Sequence, residues 1–280
     1  MNTPITTTNV EGKTINISFS GAIPANYDEY LGPMFFEPYA IEVGKRIAAL
    51  RPSSVLELAC GTGRATKYLV DACAPGGKVT ATDINPAMID EARRKVPSDR
   101  VEWNTVDAMT LPYADSSFDA LVCQFGIMFV PDRVQAYSEA HRVLKSGGTL
   151  LVSSWDGLEF NPIPQIAEKL LHEYFPNDTP QFYTIPFAYN DKSVMRSELM
   201  QAGFSDITIE RVNLEGTNRS VEAAAIGLLE GNPVNGEILA RDPNALSVLK
   251  QRLGHDIAAR FGQGEIVIPQ QAWFMTARRS

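Results

Sequence analysis

The sequence predicts an α/β fold built around a mostly parallel sheet, and three observations support that prediction. Short apolar runs alternate with stretches of helical periodicity between residues 39 and 155, as in chains of β-α-β units. The turn Gly61-Thr62-Gly63 follows directly on the apolar run 55–58. Two carboxylates, Asp83 and Asp107, stand where the next two apolar runs end. The pattern indicates a sheet with a ligand crevice at the carboxyl ends of its strands.

Each element of this alternation has its own local signal. Asn85 and Pro86 are the expected N-cap and first residue of one helix. The run 118–125 is almost continuously apolar, which is typical of a strand buried on both faces. In chain order we expect helix 39–50, strand 55–58, helix 62–74, strand 78–82, helix 86–95, strand 101–106, strand 118–125, helix 132–144 and strand 149–154, then later strands at 207–212 and 265–276.

The other segments are expected to surround this core. Residues 1–36 are predicted to form an N-terminal arm and cap, of which 1–20 is either a mobile arm or a short docking strand. Residues 37–155 form the ligand-binding core. The aromatic- and proline-rich segment 156–190 is predicted to be a lid insertion. Residues 191–280 complete the sheet and carry a helical insertion at 218–262.

Composition excludes several functional classes. The chain has 25 basic and 33 acidic residues and a formal charge of −8, which disfavours a nucleic-acid partner. The basic runs 93–95 and 278–279 are short enough to be ordinary surface. Cys60, Cys73 and Cys123 are odd in number and lack C-x-x-C spacing, so we expect buried thiols, with neither disulfides nor zinc. With no signal peptide and no run of about 18 apolar residues, a cytoplasmic protein without a membrane span is expected.

The glycine turn and the two carboxylates together predict a nucleoside ligand. Gly61 and Gly63 stand where the chain must turn sharply and let a ligand approach the backbone. Thr66 occupies the place of the third glycine in the dinucleotide pattern, which weakens a nicotinamide interpretation. Asp83 can accept both hydroxyls of a ribose, or it is simply a helix N-terminal carboxylate. Asp107 can accept a hydrogen bond from an exocyclic amine.

Longer motifs across residues 27–155 resemble those of class I methyltransferases. They are VLELACGTG, TATDINPAM, and VDAMTLPYADSSFDALVCQFGIMFVPD followed by EAHRVLKSGGTLLVSS. Their order and the RVLKSGG turn resemble the ubiquinone/menaquinone-biosynthesis-like (methyltransferase type 11) branch. The resemblance implies a Rossmann-like, seven-stranded, mostly parallel sheet with helices on both faces and an antiparallel last strand, and it implies S-adenosylmethionine as the cofactor.

The resemblance also implies which residues hold the cofactor. Glu57 with the backbone around Ala59, Gly61 and Gly63 would hold the methionine part, and Asp83 the ribose. The remaining implied contacts are Asp107 and Ala108 for the adenine, Ile84 and Met88 packed on its ring, Gln124, Phe125 and Met128 between cofactor and acceptor, and Tyr27 and Tyr30 closing over the methionine end.

The acceptor is predicted only by class. Methyl transfer from a sulfonium is an in-line displacement favoured by alignment and desolvation. A hydroxyl or carbon acid also needs a base, for which His172 is the candidate, with a solvated surface histidine as its alternative, whereas His141 is expected to be structural. The aromatic insertion favours a small apolar or aromatic acceptor and O- or C-methylation, unless those aromatics form a small core of their own. No metal is expected.

Two other functions stay open from the sequence. One is an NAD(P)-dependent oxidoreductase, and the other is a cofactor-binding module without catalysis. The expected partner is a small-molecule acceptor, and the oligomeric state is open, a homodimer included.

Overall fold

The N-terminal region contributes two short strands and a continuous helical segment. The structure, a computed structural model, describes residues 5–8, 14–17 and 21–280. Strands β1 (Ile5–Thr8) and β2 (Thr14–Ile17) pair with each other antiparallel in a sheet of their own. The other residues of the predicted arm lie outside the described part of the chain, so the choice between a mobile arm and a docking strand stays a prediction.

A π-helix follows, in a segment for which no helix is predicted from the sequence. Helix α1 (Ile23–Asn26) runs into a π-helix over Tyr27–Phe36, which continues as α2 (Glu37–Ala48). Long π-helical runs are rare, and π-helical turns frequently mark functional sites. One face of this segment, including Leu31 and Met34, is buried against the core.

The main sheet has seven strands, and its central pair positions the site. The strands are β3 (Ser54–Leu58), β4 (Lys78–Asp83), β5 (Val101–Thr105), β6 (Phe118–Gln124), β7 (Leu144–Trp155), β8 (Ser205–Asn218) and β9 (Ile266–Arg278). Their order is β5-β4-β3-β6-β7-β9-β8, and β9 is antiparallel to both neighbours while the other pairs are parallel. The predicted seven-stranded sheet is therefore confirmed. The strand order reverses between β3 and β6, and ligands of such sheets bind at this switch point.

Helices flank the sheet largely where periodicity predicts them. Helix α4 begins where its capping signal predicts. The side chain of Asn85, the predicted N-cap, accepts a hydrogen bond from Ala87 N at 2.9 Å. The helix predicted over 62–74 begins only at Thr66, because Gly63 has a left-handed φ of 80°. The remaining helices are α3 (Thr66–Ala72), α4 (Pro86–Lys95), α5 (Arg133–Val143), α6 (Pro162–Tyr174), α7 (Lys192–Gln201), α8 (Val221–Glu230), α9 (Val234–Arg241) and α10 (Ala245–Phe261).

Strand β7 also begins earlier than expected. It starts at Leu144, and the predicted turn at residues 146–148 is a bulge within it, with Gly147 at φ 75°. Its partner register jumps accordingly, from Phe118↔Leu144 to Ala120↔Thr149. The double glycine therefore bends a strand instead of preceding one.

The two insertions pack over the carboxyl ends of the strands. Helix α8 packs against the π-helix and α10, and α10 packs against α6. The aromatic residues Phe182, Tyr183 and Phe187 are buried in the same apolar cluster as the sheet, not in a separate core. None of the described helices combines the length and the apolarity needed to cross a membrane.

Candidate active site

The glycine turn passes three times through the left-handed region. Ala59, Gly61 and Gly63 have φ values of 51°, 56° and 80°. A Cβ placed on Gly61 would have no atom within 4 Å, because this face of the turn is open. A Cβ on Gly63 would instead lie 3.1 Å from Ala92 and 3.3 Å from Trp103. Gly61 thus faces a ligand space, and Gly63 allows the turn to pack against α4 and β5.

Asp83 connects this turn to the start of α4. Its Oδ2 accepts a hydrogen bond from Gly61 N at 2.9 Å, and its Oδ1 accepts one from Asn85 N at 2.9 Å. Burial raises the pKa of Asp83, and the backbone N–H groups of Asn85 and Gly61 oppose that rise. A carboxylate has about four acceptor positions, so Asp83 can also accept hydrogen bonds from a ligand.

A first cavity of about 220 Å³ opens in front of these residues. Ten of the residues implied by the resemblance line it: Tyr27, Ala59, Gly61, Asp83, Ile84, Met88, Asp107, Ala108, Gln124 and Phe125. The sequence analysis missed the remaining wall, formed by Thr82, Asn85, Val106, Met109, Gly126, Phe129, Val130 and Pro131. Most of these missed residues adjoin a predicted one in sequence, which is the signal that could have found them.

A second cavity of about 70 Å³ adjoins the first and shares Tyr27, Phe125 and Phe129 with it. The rings of Phe125 and Trp155 stack with centroids 3.9 Å apart and an interplanar angle of 7°. The rest of its wall comes from the π-helix, from the segment after β6 and from both insertions: Leu31, Phe35, Phe36, Met128, Asn161, Pro164, Phe182, Tyr183, Pro186, Phe187 and Asn232. The predicted residue Met128 therefore lies on the second cavity.

The π-helix is fixed over the glycine turn by the buried carboxylate of Asp28. Thr62 Oγ1 donates to Asp28 Oδ1 at 2.7 Å, Arg64 lies 2.9 Å from the same oxygen, and Lys95 forms an ion pair with Oδ2. This arrangement holds Tyr27, whose ring stacks on Phe36 with centroids 4.7 Å apart, at the junction of the two cavities.

Three residues predicted to contact the cofactor, Glu57, Gly63 and Tyr30, are not among those that line the cavities. Glu57 is buried beneath the turn, where its Oε2 accepts a hydrogen bond from Thr66 Oγ1 at 2.6 Å, and burial raises the pKa of Glu57 to about 8. Gly63 packs against α4, as described above. The guanidinium carbon of Arg219 lies 5.1 Å from the centroid of the Tyr30 ring. These three residues line neither cavity.

The candidate base, His172, is corrected by the structure. Its side chain on α6 is 55% exposed, and its ring nitrogens contact Glu168 Oε1 at 2.9 Å and Thr179 Oγ1 at 3.1 Å. It lines neither cavity, because it is on the solvent side of an amphipathic helix. His141 packs edge-on against Phe204 and is structural, as expected.

Comparison with known proteins agrees with this geometry. A family model described as "Methyltransferase domain" matches residues 56–152. A demethylmenaquinone methyltransferase of Staphylococcus epidermidis is 28% identical over 205 residues, covering 67% of this chain and 83% of that protein. A ubiquinone/menaquinone biosynthesis C-methyltransferase of Rhizobium etli is 34% identical over 186 residues, covering 58% of this chain and 70% of that protein.

The chain belongs to the class I S-adenosylmethionine-dependent methyltransferases, in the ubiquinone/menaquinone-biosynthesis-like branch. Its fold is shared more widely. The structure of Haemonchus contortus phosphoethanolamine N-methyltransferase 2 in complex with S-adenosyl-L-methionine superposes with a TM-score of 0.56 at 16% identity, covering 95% of this chain and 62% of that one.

The residues of the first cavity fit the methyltransferase's cofactor. The buried carboxylate of Asp83 suits ribose hydroxyls, and Asp107 stands at the adjacent rim, where its Oδ1 accepts a hydrogen bond from Met109 N at 2.8 Å. Ile84 and Met88 offer apolar surface for a planar base between these carboxylates. The uncovered face of Gly61 leaves space next to the backbone.

Proposed function

We propose that this methyltransferase methylates a small aromatic acceptor that carries a hydroxyl group, on oxygen or on a ring carbon, in the second cavity. The observation that carries the proposal is the common wall of the two cavities: Tyr27, Phe125 and Phe129 belong to both. A ring in the second cavity would therefore present its edge to the methyl-donor end of the first.

The lining of the first cavity supports the predicted cofactor-holding roles. Asp83 would bind the ribose, Asp107 the adenine amine, and Ile84 and Met88 the adenine faces. S-adenosylmethionine supplies an electrophilic methyl group on a sulfonium when bound. The chain itself aligns the acceptor and excludes water, which are the effects that accelerate a displacement of this kind.

The second cavity supports an aromatic acceptor by its size and its walls. A site for one water takes at least about 10–15 Å³. The second cavity, at about 70 Å³, therefore has room for a ligand on the order of one ring. Its aromatic walls favour offset stacking and edge contacts with such a ring. The names of the relatives, demethylmenaquinone methyltransferase and ubiquinone/menaquinone biosynthesis C-methyltransferase, support a quinone-like nucleus and methylation on carbon.

We also propose that the insertions 156–190 and 218–262 form the acceptor lid. Phe182, Tyr183 and Phe187 come from the first insertion and Asn232 from the second. Both insertions line the second cavity and not the first, and the core and the π-helix supply the rest of the second cavity's wall.

Release of S-adenosylhomocysteine in the presence of matched panels of phenols, quinols, amines and carboxylates tests the proposed function. We expect turnover with phenols or quinols alone. Phe187→Ala should raise the KM for the acceptor while leaving S-adenosylhomocysteine affinity unchanged, since Phe187 lines only the second of the two cavities. Turnover confined to amines or carboxylates contradicts the proposal, as does a Phe187→Ala enzyme with an unchanged acceptor KM.

A further inference from the structure

The winding of the π-helix determines which of its side chains meet on the wall of the second cavity. Phe36 follows Tyr27 by nine positions, which is about two and a half turns of an α-helix, so an α-helix would place the two rings on opposite faces. In the wider π-helix the rings stack, with centroids 4.7 Å apart and an interplanar angle of 18°, and both line the second cavity. The wall that these two rings form therefore depends on π-helical winding.

Pro33 disfavours α-helical winding in this segment. Inside an α-helix a proline lacks the backbone N–H donor, and its ring clashes with the carbonyl four residues earlier. In the i→i+5 pattern of a π-helix, the carbonyl that would pair with residue 33 is that of Asp28. Arg64 Nη2 donates to this carbonyl at 2.8 Å and replaces the donor that Pro33 cannot supply. The arginine of the glycine turn thus complements the π-helical pairing.

Two buried side-chain amides of the sheet bind further carbonyls of the π-helix. Asn218 Nδ2, at the end of β8, donates to Tyr30 O at 3.0 Å. Gln270 Nε2, on β9, donates to Met34 O. Gly216 on β8 makes room for the second contact, because a Cβ there would collide with Met34 O. The outer two strands of the sheet are therefore shaped to receive these two carbonyls.

Resting on the proposed function for the second cavity, we propose that Asn218 and Gln270 are positioning residues for methyl transfer. Neither is among the described residues that line the two cavities. Their amides hold the π-helical winding through its backbone carbonyls, and the winding holds Phe36 against Tyr27. Loss of either donor should let the segment rewind and separate the rings, so that the acceptor loses part of its wall.

Gln270→Met tests the proposal, because it removes the amide donor at similar volume. The matched control is Gln271→Met, on the same strand, since the Gln271 amide donates to Asn213 Oδ1 at 2.7 Å. With methylhydroquinone as the acceptor, Gln270→Met should raise KM about tenfold or more, and Gln271→Met should leave it within about twofold. The Kd of S-adenosylhomocysteine should stay within about threefold in both, because the contacts of Asp28 next to Tyr27 are unchanged. A lower melting temperature of Gln270→Met with an unchanged KM would show a merely structural role and overturn the proposal.

Gln270→Glu provides a rescue that depends on pH. A protonated carboxyl can donate to Met34 O as the amide does, a carboxylate cannot, and burial keeps a carboxyl protonated to higher pH. The ratio of kcat/KM to that of the wild type should therefore fall as the pH rises from about 5 to 9. A ratio that stays constant with pH contradicts the proposal. Asn218→Leu, which removes the donor to Tyr30 O, should raise the acceptor KM in the same direction and keeps the test open if a Gln270 variant does not fold.

Fluorine NMR of protein labelled with 5-fluorotryptophan monitors the winding without turnover. The Trp155 ring lies 6.3 Å from Phe36 between centroids, whereas Trp103 lies near Gly63 of the glycine turn. Gln270→Met should shift the Trp155 resonance and leave the Trp103 resonance in place. An unshifted Trp155 resonance overturns the proposal whatever the acceptor is. A shifted resonance in an enzyme whose wild type methylates no phenol or quinol contradicts the proposed function alone.

Discussion

Replacement of Asp83 by asparagine separates its structural role from its role toward the cofactor. An amide has a single carbonyl oxygen, so either Gly61 N or Asn85 N loses the acceptor that it has at 2.9 Å. A buried N–H without an acceptor costs about 1–3 kcal/mol of stability. Loss of the charged acceptor toward the ribose should weaken cofactor binding by about 1.5–3 kcal/mol, which is about 10- to 150-fold in Kd.

Asp119 provides a matched control for this variant. Its Oδ2 also accepts two backbone hydrogen bonds, from Ser53 N and Ser54 N at 2.9 Å each, but it lies outside both cavities at the other end of the sheet. Asp119→Asn keeps an oxygen for both N–H groups but loses the ion pair of Oδ1 with Lys145 Nζ at 2.7 Å, so it should lower the melting temperature and leave the cofactor affinity unchanged. The measurements are S-adenosylhomocysteine calorimetry well below the melting temperature and thermal unfolding. Wild-type affinity in Asp83→Asn, or equal losses in both variants, would refute the reasoning.

Three further changes test the site. Because the pKa of Glu57 is raised to about 8 from 4.5, the folded state binds its proton more tightly, so the melting temperature of the cofactor-free enzyme should fall from pH 5 to 8; Glu57→Gln should remove part of that fall. His172→Ala should keep kcat/KM within about twofold, and a loss of about tenfold or more would restore its role as base. Gly126→Ala forces a Cβ against Ala59 and should destabilise by about 1–3 kcal/mol, whereas Gly236→Ala, with no atom within 4 Å, should not destabilise on urea unfolding.

The parts of the fold that local chemistry determines were predictable. Helix α4 has the predicted bounds because its N-cap, Asn85, and its first residue, Pro86, are both local signals. The π-helix was not predicted, because long-range contacts stabilise it. Asp28 is paired with side chains from the glycine turn and from α4, and the guanidinium of Arg64 occupies the space that a Cβ on Gly32 would fill. No pattern within residues 27–36 shows those partners.

In the candidate site, too, local signals were predictable from the sequence and long-range contacts were not. Asp83 and Asp107 were predictable because strand ends can be read from apolar runs, and parallel strands bring their carboxyl ends together. His172 was chosen as the candidate base because it lies in the aromatic insertion. The apolar positions Ile163, Ala167 and Leu170 define the buried face of α6, and His172 is off that face, a helical-spacing signal already present in the sequence. That the aromatic insertion packs on the core depends on distant contacts and had to come from the structure.

Two non-glycine residues beside the cavities, Ala59 and Phe125, have left-handed backbone conformations. Their close packing should limit which substitutions can change the acceptor. Ala59 and Phe125 have φ values of 51° and 54° directly after β3 and β6, whose last residues are Leu58 and Gln124. Non-glycine residues in this region cost on the order of 1–3 kcal/mol each and persist only where the surroundings enforce them. The two residues can lie close together because Gly126 has no Cβ, which would collide with Ala59. The backbone of Phe125 is also held by a hydrogen bond from its N–H to Ser153 O at 3.1 Å. Since a change at Phe125 alters the cofactor wall and the acceptor wall together, selectivity for a new acceptor should arise by substitution in the insertions, which line the second cavity alone.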